Sequence, residues 1–276
     1  MLVWDERQPA QKQAYTNFLG NHIAQYLQGK EGLAVTSVGL DDPGQGLSHL
    51  ADFDVLIWWG HQRHREISTE TARGIVDRIK AGQLSLISLH SAHWSQPFVE
   101  AMNERARADA LAALSPDERA TAKTVETNLF ANRFSQPKYS DLRTPAALYR
   151  KKPDGPVDVK LTLPNCCFPA YRNDGKPSQI RVLLPEHPIA QGLPGNFELA
   201  QTEMYDEPFH VPAPDQVVLE ERWQTGEWFR SGSVWQVGQG KVFYFRPGHE
   251  TYAVYHNPNA LKIVENAVRW LGQPHK

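Results

Sequence analysis

Three short apolar segments, each ending at a histidine, constrain the fold of this chain more than any other feature. Segment 53–60 runs into His61, segment 84–89 into His90, and segment 242–248 into His249. The first is nearly continuous in apolar character, which is typical of a strand buried on both faces of a parallel sheet. In an open α/β sheet, ligands bind outside the carboxyl ends of the parallel strands. If the three segments share one sheet, their imidazoles converge on one crevice.

Helical patterns separate these strands along the chain. Apolar residues recur at near-helical spacing over 14–27, and Ser68 suits the N-cap of a helix that Gly82 would end. A last helix is predicted from about Asn259. The alternation of strand and helix predicts an α/β fold with a doubly wound sheet and helices on both faces.

The middle of the chain changes character, which indicates an insertion or a lid over the sheet. Residues 100–130 are rich in Ala, Glu and Arg and predict helix, whereas 131–156 carry prolines and charges and predict loop. The alternating segment 157–163 predicts a half-exposed strand. Further strands are predicted in the last third of the chain, at 180–184, 216–221, 233–237 and 241–245.

Composition narrows the class of partner. With 276 residues and a net charge of −2, the chain offers no electrostatic case for binding nucleic acid or an anionic membrane. No apolar run approaches the roughly 20 residues of a membrane span, and the N-terminus lacks the pattern of a signal peptide. The only cysteines, Cys166 and Cys167, are adjacent and give no disulfide framework. A reducing cytoplasm is therefore the expected location.

Histidines and carboxylates that follow strands are the candidates for chemistry. His61, His90 and His249 suit proton transfer or metal binding, and Glu250 beside His249 could add a base. The alternatives are a polar loop at His61 and a helix start at His249, where Glu250 would favour the helix dipole.

An acidic segment offers a second source of chemistry. Glu203, Asp206 and Glu207 lie within five positions, and clustered carboxylates raise one another's pKa, which can make a general acid. Apolar neighbours interleave with them, so part of the segment should face inward. Glu203 is the first candidate and Glu207 the second; the alternative for both is solvent exposure.

Ser91 follows His90 where a strand turns into small residues, as in a nucleophile elbow. The motif G-x-S-x-G is absent, so helix capping is the alternative role for Ser91. The motifs G-x-G-x-x-G, Walker A and H-E-x-x-H are absent too, so no nucleotide cofactor is expected.

Several of these segments together resemble the ThuA (trehalose utilisation) family. They are Asp54–His61, Leu89–His93, Glu203–Tyr205, Phe229–Gly232 and Phe245–Tyr252. The resemblance implies the fold of class I glutamine amidotransferases, a flavodoxin-like and mostly parallel sheet in a single domain over 1–276. It also implies that about 103–165 is an insertion. The amidotransferase elbow carries a cysteine where this chain reads His90-Ser91-Ala92, so glutaminase chemistry is not expected.

The resemblance further implies a role in the catabolism of trehalose or related disaccharides, on a sugar with a carbonyl at carbon 3. A base could then remove the acidified neighbouring proton, to isomerise the sugar or to eliminate its aglycone. A divalent metal, zinc or manganese, would stabilise the resulting enediolate. The residues in these roles are candidate metal ligands (His61, His90, His249, Glu203), acid or base groups (Glu203, His249, His90, Glu250) and sugar contacts (Trp59, Tyr205, Arg246, Ser91, Glu207).

A non-catalytic function remains open from the sequence. The same amidotransferase-like shell could bind carbohydrate as a regulatory protein without turnover. The sequence also leaves a homo-oligomer open.

Overall fold

A nine-stranded sheet forms the centre of the molecule. The structure is a computed structural model that describes residues 1–128, 134–152 and 155–273. The strands of this sheet are β1 (Leu2–Asp5), β2 (Thr36–Gly39), β3 (Val55–Trp59), β4 (Ser85–Leu89), β9 (Ser178–Val182), β10 (Asn196–Leu199), β12 (Gln216–Arg222), β13 (Trp228–Val237) and β14 (Gly240–Phe245). Their order across the sheet is β10-β9-β12-β13-β14-β4-β3-β1-β2.

One half of the sheet is parallel, as the sequence predicts. Strands β2, β1, β3, β4 and β14 pair in that order, and all four pairings are parallel. The three strands that end near His61, His90 and His249 are therefore neighbours in the same half. Their carboxyl ends lie on one edge, which brings the three histidines together.

The other half of the sheet is antiparallel. The pairings β14–β13, β13–β12, β12–β9 and β9–β10 all run antiparallel. The prediction of a mostly parallel sheet is therefore right for one half only. The two-residue link between β13 and β14 forms a tight hairpin, because a turn this short can join antiparallel strands but not parallel ones.

Helices cover both faces of the sheet, as predicted. Helices α1 (Leu19–Gln28) and α5 (Pro258–Leu271) pack on one face, and α2 (Thr69–Lys80) and α3 (Gln96–Ala112) pack on the other. Side chains alternate along a strand, so Ile57 joins the first apolar core and Trp58 the second. Ser68 caps α2 by accepting a 3.0 Å hydrogen bond from the amide of Thr71.

The middle of the chain is less helical than its composition predicts. Helix α3 ends at Ala112, the short α4 (Pro116–Thr121) follows, and the chain then turns into β5 (Lys123–Thr127). Strands β6 (Ala146–Lys152) and β7 (Gly155–Thr162) complete a separate three-stranded sheet, β5-β7-β6. The helix predicted to 130 and the loop predicted over 131–156 are thus wrong for β5 and β6; residues 129–133 and 153–154 lie outside the described residues.

A second small sheet covers the carboxyl edge of the large one. It pairs β8 (Ala170–Arg172) with β11 (Met204–Asp206) in antiparallel register, with Tyr171 opposite Tyr205. Within the described residues, no helix combines the length and apolar character that crossing a bilayer requires.

Candidate functional site

The three histidines predicted to converge lie together at the carboxyl edge of the parallel strands. Their ring centroids are 5.8 Å apart for His61 and His90, and 5.4 Å apart for each pair that includes His249. His90 is fully buried, His249 is nearly so, and His61 is partly exposed. The prediction that distant segments bring their imidazoles to one place is therefore confirmed by the geometry.

A strained turn aims His90 into the cluster. The residue follows β4 directly and adopts a φ of +54°, a left-handed conformation that side-chain-bearing residues rarely take. Such strain costs on the order of 1–3 kcal/mol and is concentrated at functional sites. The hydroxyl of Tyr244 donates a 2.8 Å hydrogen bond to the carbonyl of His90 and holds the turn. The residue with the strained backbone at this turn is His90, whereas Ser91, the residue predicted to occupy a nucleophile elbow, comes next in the chain.

The hydrogen bonds of His90 fix which ring nitrogen faces the site. Its Nδ1 lies 3.0 Å from the carbonyl oxygen of Arg246, which can only accept, so Nδ1 carries the proton. Burial, with the nearby charges of His249 and His61, holds the pKa of His90 well below its usual value, so the ring is neutral. The lone pair of Nε2 therefore points at Glu203, whose Oε2 is 3.2 Å away.

Glu203 completes an unusual pair of acceptors. The residue is 5% exposed, and its Oε2 has no hydrogen-bond partner among the described residues. A carboxylate oxygen and an imidazole lone pair at 3.2 Å repel each other unless a proton or a cation lies between them.

His61 and Glu250 form an ion pair beside them. The Nδ1 of His61 lies 2.8 Å and 3.0 Å from the two carboxylate oxygens of Glu250. Burial is the largest single effect and would lower the pKa of His61, but the hydrogen bond to Glu250 together with the negative charges of Glu250, Glu203 and Glu6 raises that pKa. Burial would likewise raise the pKa of Glu250, but His61 and His249 bring it down to about 2. The carboxylate stays ionised, and a cation would bind Nε2 of His61 in place of the proton on that nitrogen.

His249 lies between the ion pair and the covering loop. Its Nδ1 accepts a 3.2 Å bond from the amide of Thr251 and is 3.6 Å from Oε2 of Glu250. Its Nε2 lies 3.1 Å from the side-chain amide of Asn173. Burial is the main reason that the pKa of His249 is lowered, so this ring too tends to be neutral.

This donor set fits a divalent cation. One ligand atom from each of His61, His90, His249 and Glu250 can be chosen so that all lie within 4.8 Å of one another. Two donors that share an ion at about 2.1 Å are themselves roughly 3.0–3.4 Å apart. Nε2 of His90 and Oε2 of Glu203, a carboxylate outside this set of four, lie 3.2 Å apart. Neutral imidazoles with carboxylates suit zinc or manganese. His61 and Glu250 have the arrangement in which a carboxylate orients a metal-binding histidine.

Two predicted sugar contacts are buried in the core. Trp59 is fully buried and donates a 2.9 Å hydrogen bond to the carbonyl of Gly248, the residue before His249. Arg246 is fully buried too, pairs with Glu221 through a 2.6 Å bond, and donates to the carbonyl of Glu203. Neither residue has exposed surface or an unpaired polar atom that could contact a sugar. We therefore expect Trp59 and Arg246 to hold the backbone at Gly248 and Glu203 in place.

The other predicted sugar contacts divide. The hydroxyl of Tyr205 lies 3.1 Å from the hydroxyl of Ser91 and 3.5 Å from Nε2 of His90, so both Tyr205 and Ser91 border the cluster. Glu207 pairs with Arg230 at 2.7 Å and accepts from the amide of Phe209. Both oxygens of its carboxylate are hydrogen-bonded to these partners, so we expect Glu207 to stabilise the fold rather than to contact a sugar.

Two residues near the cluster were not predicted. Glu6 is 1% exposed and accepts hydrogen bonds from the amides of His61 (2.7 Å) and Gln62 (3.1 Å), which fixes the loop after β3. It directly follows β1, whose carboxyl end lies on the same edge, and that position was the available signal. Asn173 follows β8 in the covering sheet, and no signal in the sequence places it beside His249.

Comparison with known proteins agrees with this architecture. The model of the family described as ThuA, trehalose utilisation, matches residues 1–271. The chain belongs to the ThuA family. Two solved ThuA-like proteins are similar in fold: one from Bacteroides uniformis (TM-score 0.56) and one from Parabacteroides merdae (TM-score 0.57).

These likenesses are distant in sequence. Each ThuA-like structure shares 13% identity, and each alignment covers 89% of the solved chain and 98% or 99% of this one. At that identity the likeness shows the fold alone. No curated protein matches this chain. The ThuA family therefore gives a connection to trehalose utilisation, and the chemistry has to be argued from the site itself.

Proposed function

We propose that this protein is a metal-dependent enzyme that acts on a 3-keto-glycoside, such as an oxidised disaccharide. The observation that carries the proposal is the pair His90 and Glu203, in which a lone pair and a buried carboxylate oxygen face each other at 3.2 Å. Three imidazoles and two carboxylates at one strand edge exceed what packing requires. The family's connection to trehalose utilisation supports a carbohydrate as the small-molecule ligand.

The residues of the site divide into holding and proton-transfer roles. His61, His90 and His249, with Glu250, would hold the cation, and Glu203 would lie beside it. When bound, a divalent cation supplies positive charge that stabilises a developing oxyanion. Glu250 orients His61 by accepting a hydrogen bond from the Nδ1–H of that ring, and the carbonyl of Arg246 orients His90 in the same way.

Glu203 is the proposed base. A ketone at carbon 3 acidifies the hydrogen at carbon 2, and the carboxylate would take that proton as the carbon 3 oxygen gains negative charge. Return of the proton to carbon 3, with transfer of the hydroxyl proton from oxygen 2 to oxygen 3, completes an isomerisation. Expulsion of the carbon 1 substituent instead completes an elimination. Both outcomes begin with loss of the same proton.

One observation favours the alternative of a non-catalytic sugar-binding protein. His90, His249, Glu203 and Glu250 are each no more than 5% exposed, so a substrate reaches them only if the covering loops move. A protein that binds sugar without turnover needs no such access.

The same architecture supports two wider proposals. The strand order of the parallel half is that of the flavodoxin-like sheet, so we assign this half to an amidotransferase-like core and 103–165 to an insertion in a single domain.

Cys166 and Cys167 are both free and buried, in keeping with a reducing cytoplasm.

Proton exchange tests the function directly. The protein, loaded with zinc or manganese, is incubated with methyl 3-keto-α-glucoside in D₂O, and deuterium at carbon 2 is followed by NMR. We expect exchange in the wild type and a loss of about 100-fold or more in Glu203→Gln. The exposed Glu70→Gln, in the first turn of α2, should behave as wild type. Sugar binding without exchange in the loaded wild type would instead establish the non-catalytic alternative.

A further inference from the structure

Three partly exposed aromatic rings from separate segments meet beside the histidine cluster. They are Trp94, Phe134 and Tyr171, and we refer to them as the aromatic lip. The ring of Phe134 lies 6.0 Å from that of Trp94 and 6.0 Å from that of Tyr171. Phe134 is 37% exposed and Tyr171 is 48% exposed. Scattered exposed apolar side chains need no explanation, but a contiguous group beside a polar site marks a ligand surface.

The aromatic lip continues into the candidate site. Tyr171 lies opposite Tyr205 across the β8–β11 pair, so their side chains share a face. Tyr205 in turn stacks on His90, with ring centroids 5.5 Å apart. Phe134 reaches the same place by another way, since its ring is 6.2 Å from His93, which contacts Tyr205 at 5.7 Å. One layer of rings therefore separates the aromatic lip from His90.

The strand that carries Tyr171 is also tied to the cluster. Asn173, two residues further on, contacts Nε2 of His249 at 3.1 Å and accepts a 2.5 Å hydrogen bond from Tyr252. The aromatic lip is thus fixed relative to His249 as well as to His90.

We propose that the aromatic lip is the subsite for the second sugar ring of a disaccharide substrate. This inference rests on the proposed function. The ring that bears the carbonyl has to reach Glu203 and His90, so the lip is left for the ring attached at carbon 1. The apolar C–H face of a pyranose packs on aromatic rings, and the lip offers three of them. Phe134 comes from the proposed insertion 103–165, which would give that insertion a role in choosing the substrate.

Two probes separate the subsite from the chemistry. Methyl 3-keto-α-glucoside has one sugar ring and 3-keto-trehalose has two, and both can be followed by proton exchange at carbon 2. For Phe134→Ala and Tyr171→Ala we expect KM for 3-keto-trehalose to rise about tenfold, the equivalent of about 1.4 kcal/mol. KM for the one-ring probe should change less than about twofold, with kcat unchanged for both.

Matched variants guard against a loss of folding. Phe134→Tyr keeps a ring at the lip and should retain the wild-type preference, and thermal unfolding of each variant should match the wild type. Leu148→Ala removes an exposed apolar side chain on β6, elsewhere in the same insertion, and should affect neither probe. Equal losses for both probes, or no change for 3-keto-trehalose, would overturn the subsite while leaving the proposed function in place. If the wild type exchanges the proton of neither probe, the proposed function is overturned, and the subsite with it.

Discussion

The Nε2 atom of His90 faces the Oε2 atom of Glu203 at 3.2 Å, and the carbonyl of Arg246 fixes the proton of that imidazole on the opposite nitrogen. Two acceptors are thereby held against each other in a place where water has little access. A fold that only required packing would gain nothing from this arrangement. A cation or a transferable proton removes the repulsion, which connects the local geometry to metal binding and to base catalysis.

The buried pair Arg246 and Glu221 should be essential for stability. Both side chains are 0% exposed, and Ser178 donates a further 2.5 Å bond to Glu221. Arg246→Met leaves the buried carboxylate of Glu221 without its cationic partner. We therefore expect the free energy of unfolding, measured in urea, to fall by about 3–5 kcal/mol relative to the wild type. The double variant Arg246→Met with Glu221→Leu should recover much of that loss, because no charge is then left buried. A double variant as unstable as the single one would contradict the explanation.

Gly248 should be required to present His249. Its φ is +129°, and a Cβ there would lie 2.8 Å from the ring of Tyr255. Gly248→Ala is therefore expected to lower the free energy of unfolding by about 1–3 kcal/mol and to weaken zinc binding, measured by calorimetry. Gly195→Ala is the control, since a Cβ at Gly195 meets nothing within 4 Å. Wild-type zinc affinity in Gly248→Ala would show that the strand exit does not position His249.

Glu6 should hold the loop of His61 in place. It accepts the amides of His61 and Gln62 and a 2.6 Å bond from the side chain of Gln8. Glu6→Gln would turn an NH₂ group toward donors, and residues that orient ligands from behind typically change metal affinity by about 10–100-fold. Competition with a chromogenic chelator measures the effect, with the exposed Glu70→Gln as control. Equal zinc affinity in Glu6→Gln and Glu70→Gln would show that Glu6 does not position His61 for binding.

His93 should make the fold sensitive to acid. Burial, opposed by its hydrogen bond to the carbonyl of Cys166, lowers the pKa of His93 to about 3 from a usual value of 6.5. The unfolded chain therefore takes up a proton near pH 6.5 that the folded protein refuses until about pH 3. Stability should fall as pH drops below 6.5, by up to about 1.4 kcal/mol per unit from this residue.

The variant His93→Asn isolates that contribution. Its amide can still donate to the carbonyl of Cys166, but it does not titrate. The variant is expected to be less stable at pH 7, because it loses ring contacts, and yet to show a shallower decline between pH 6 and pH 4 in denaturant unfolding. An unchanged slope would mean that His93 does not contribute to the acid response.

The sequence predicts the part of this molecule that depends on periodicity and on strand ends. Buried apolar runs located β3, β4 and β14, and the rule for parallel strands was sufficient to bring His61, His90 and His249 together. The same rule applied to β1 would have identified Glu6. The antiparallel half was harder to predict, because a short apolar strand carries no mark of its neighbour's direction.

Other features depend on tertiary packing and are not visible in a single sequence. Trp59 and Arg246 have the residue types that hold sugars, but their surroundings close over them and turn them into supports. Strand β5 (Lys123–Thr127) lies in a segment of helical composition, and its pairing with β7 overrides that preference. Asn173 reaches His249 from the covering sheet across 76 positions. Contacts of this kind arise only when the whole fold is formed.

The metal content of the protein is the sharpest test of the proposed cation site at His61, His90 and His249. Wild-type protein purified without chelator, and His249→Ala prepared in parallel, are analysed by plasma mass spectrometry before and after incubation with zinc or manganese chloride and desalting. We expect close to one divalent ion per wild-type chain and a large loss in His249→Ala, with circular dichroism unchanged. A wild-type protein that carries no divalent ion and takes up neither zinc nor manganese would contradict the proposed cation site.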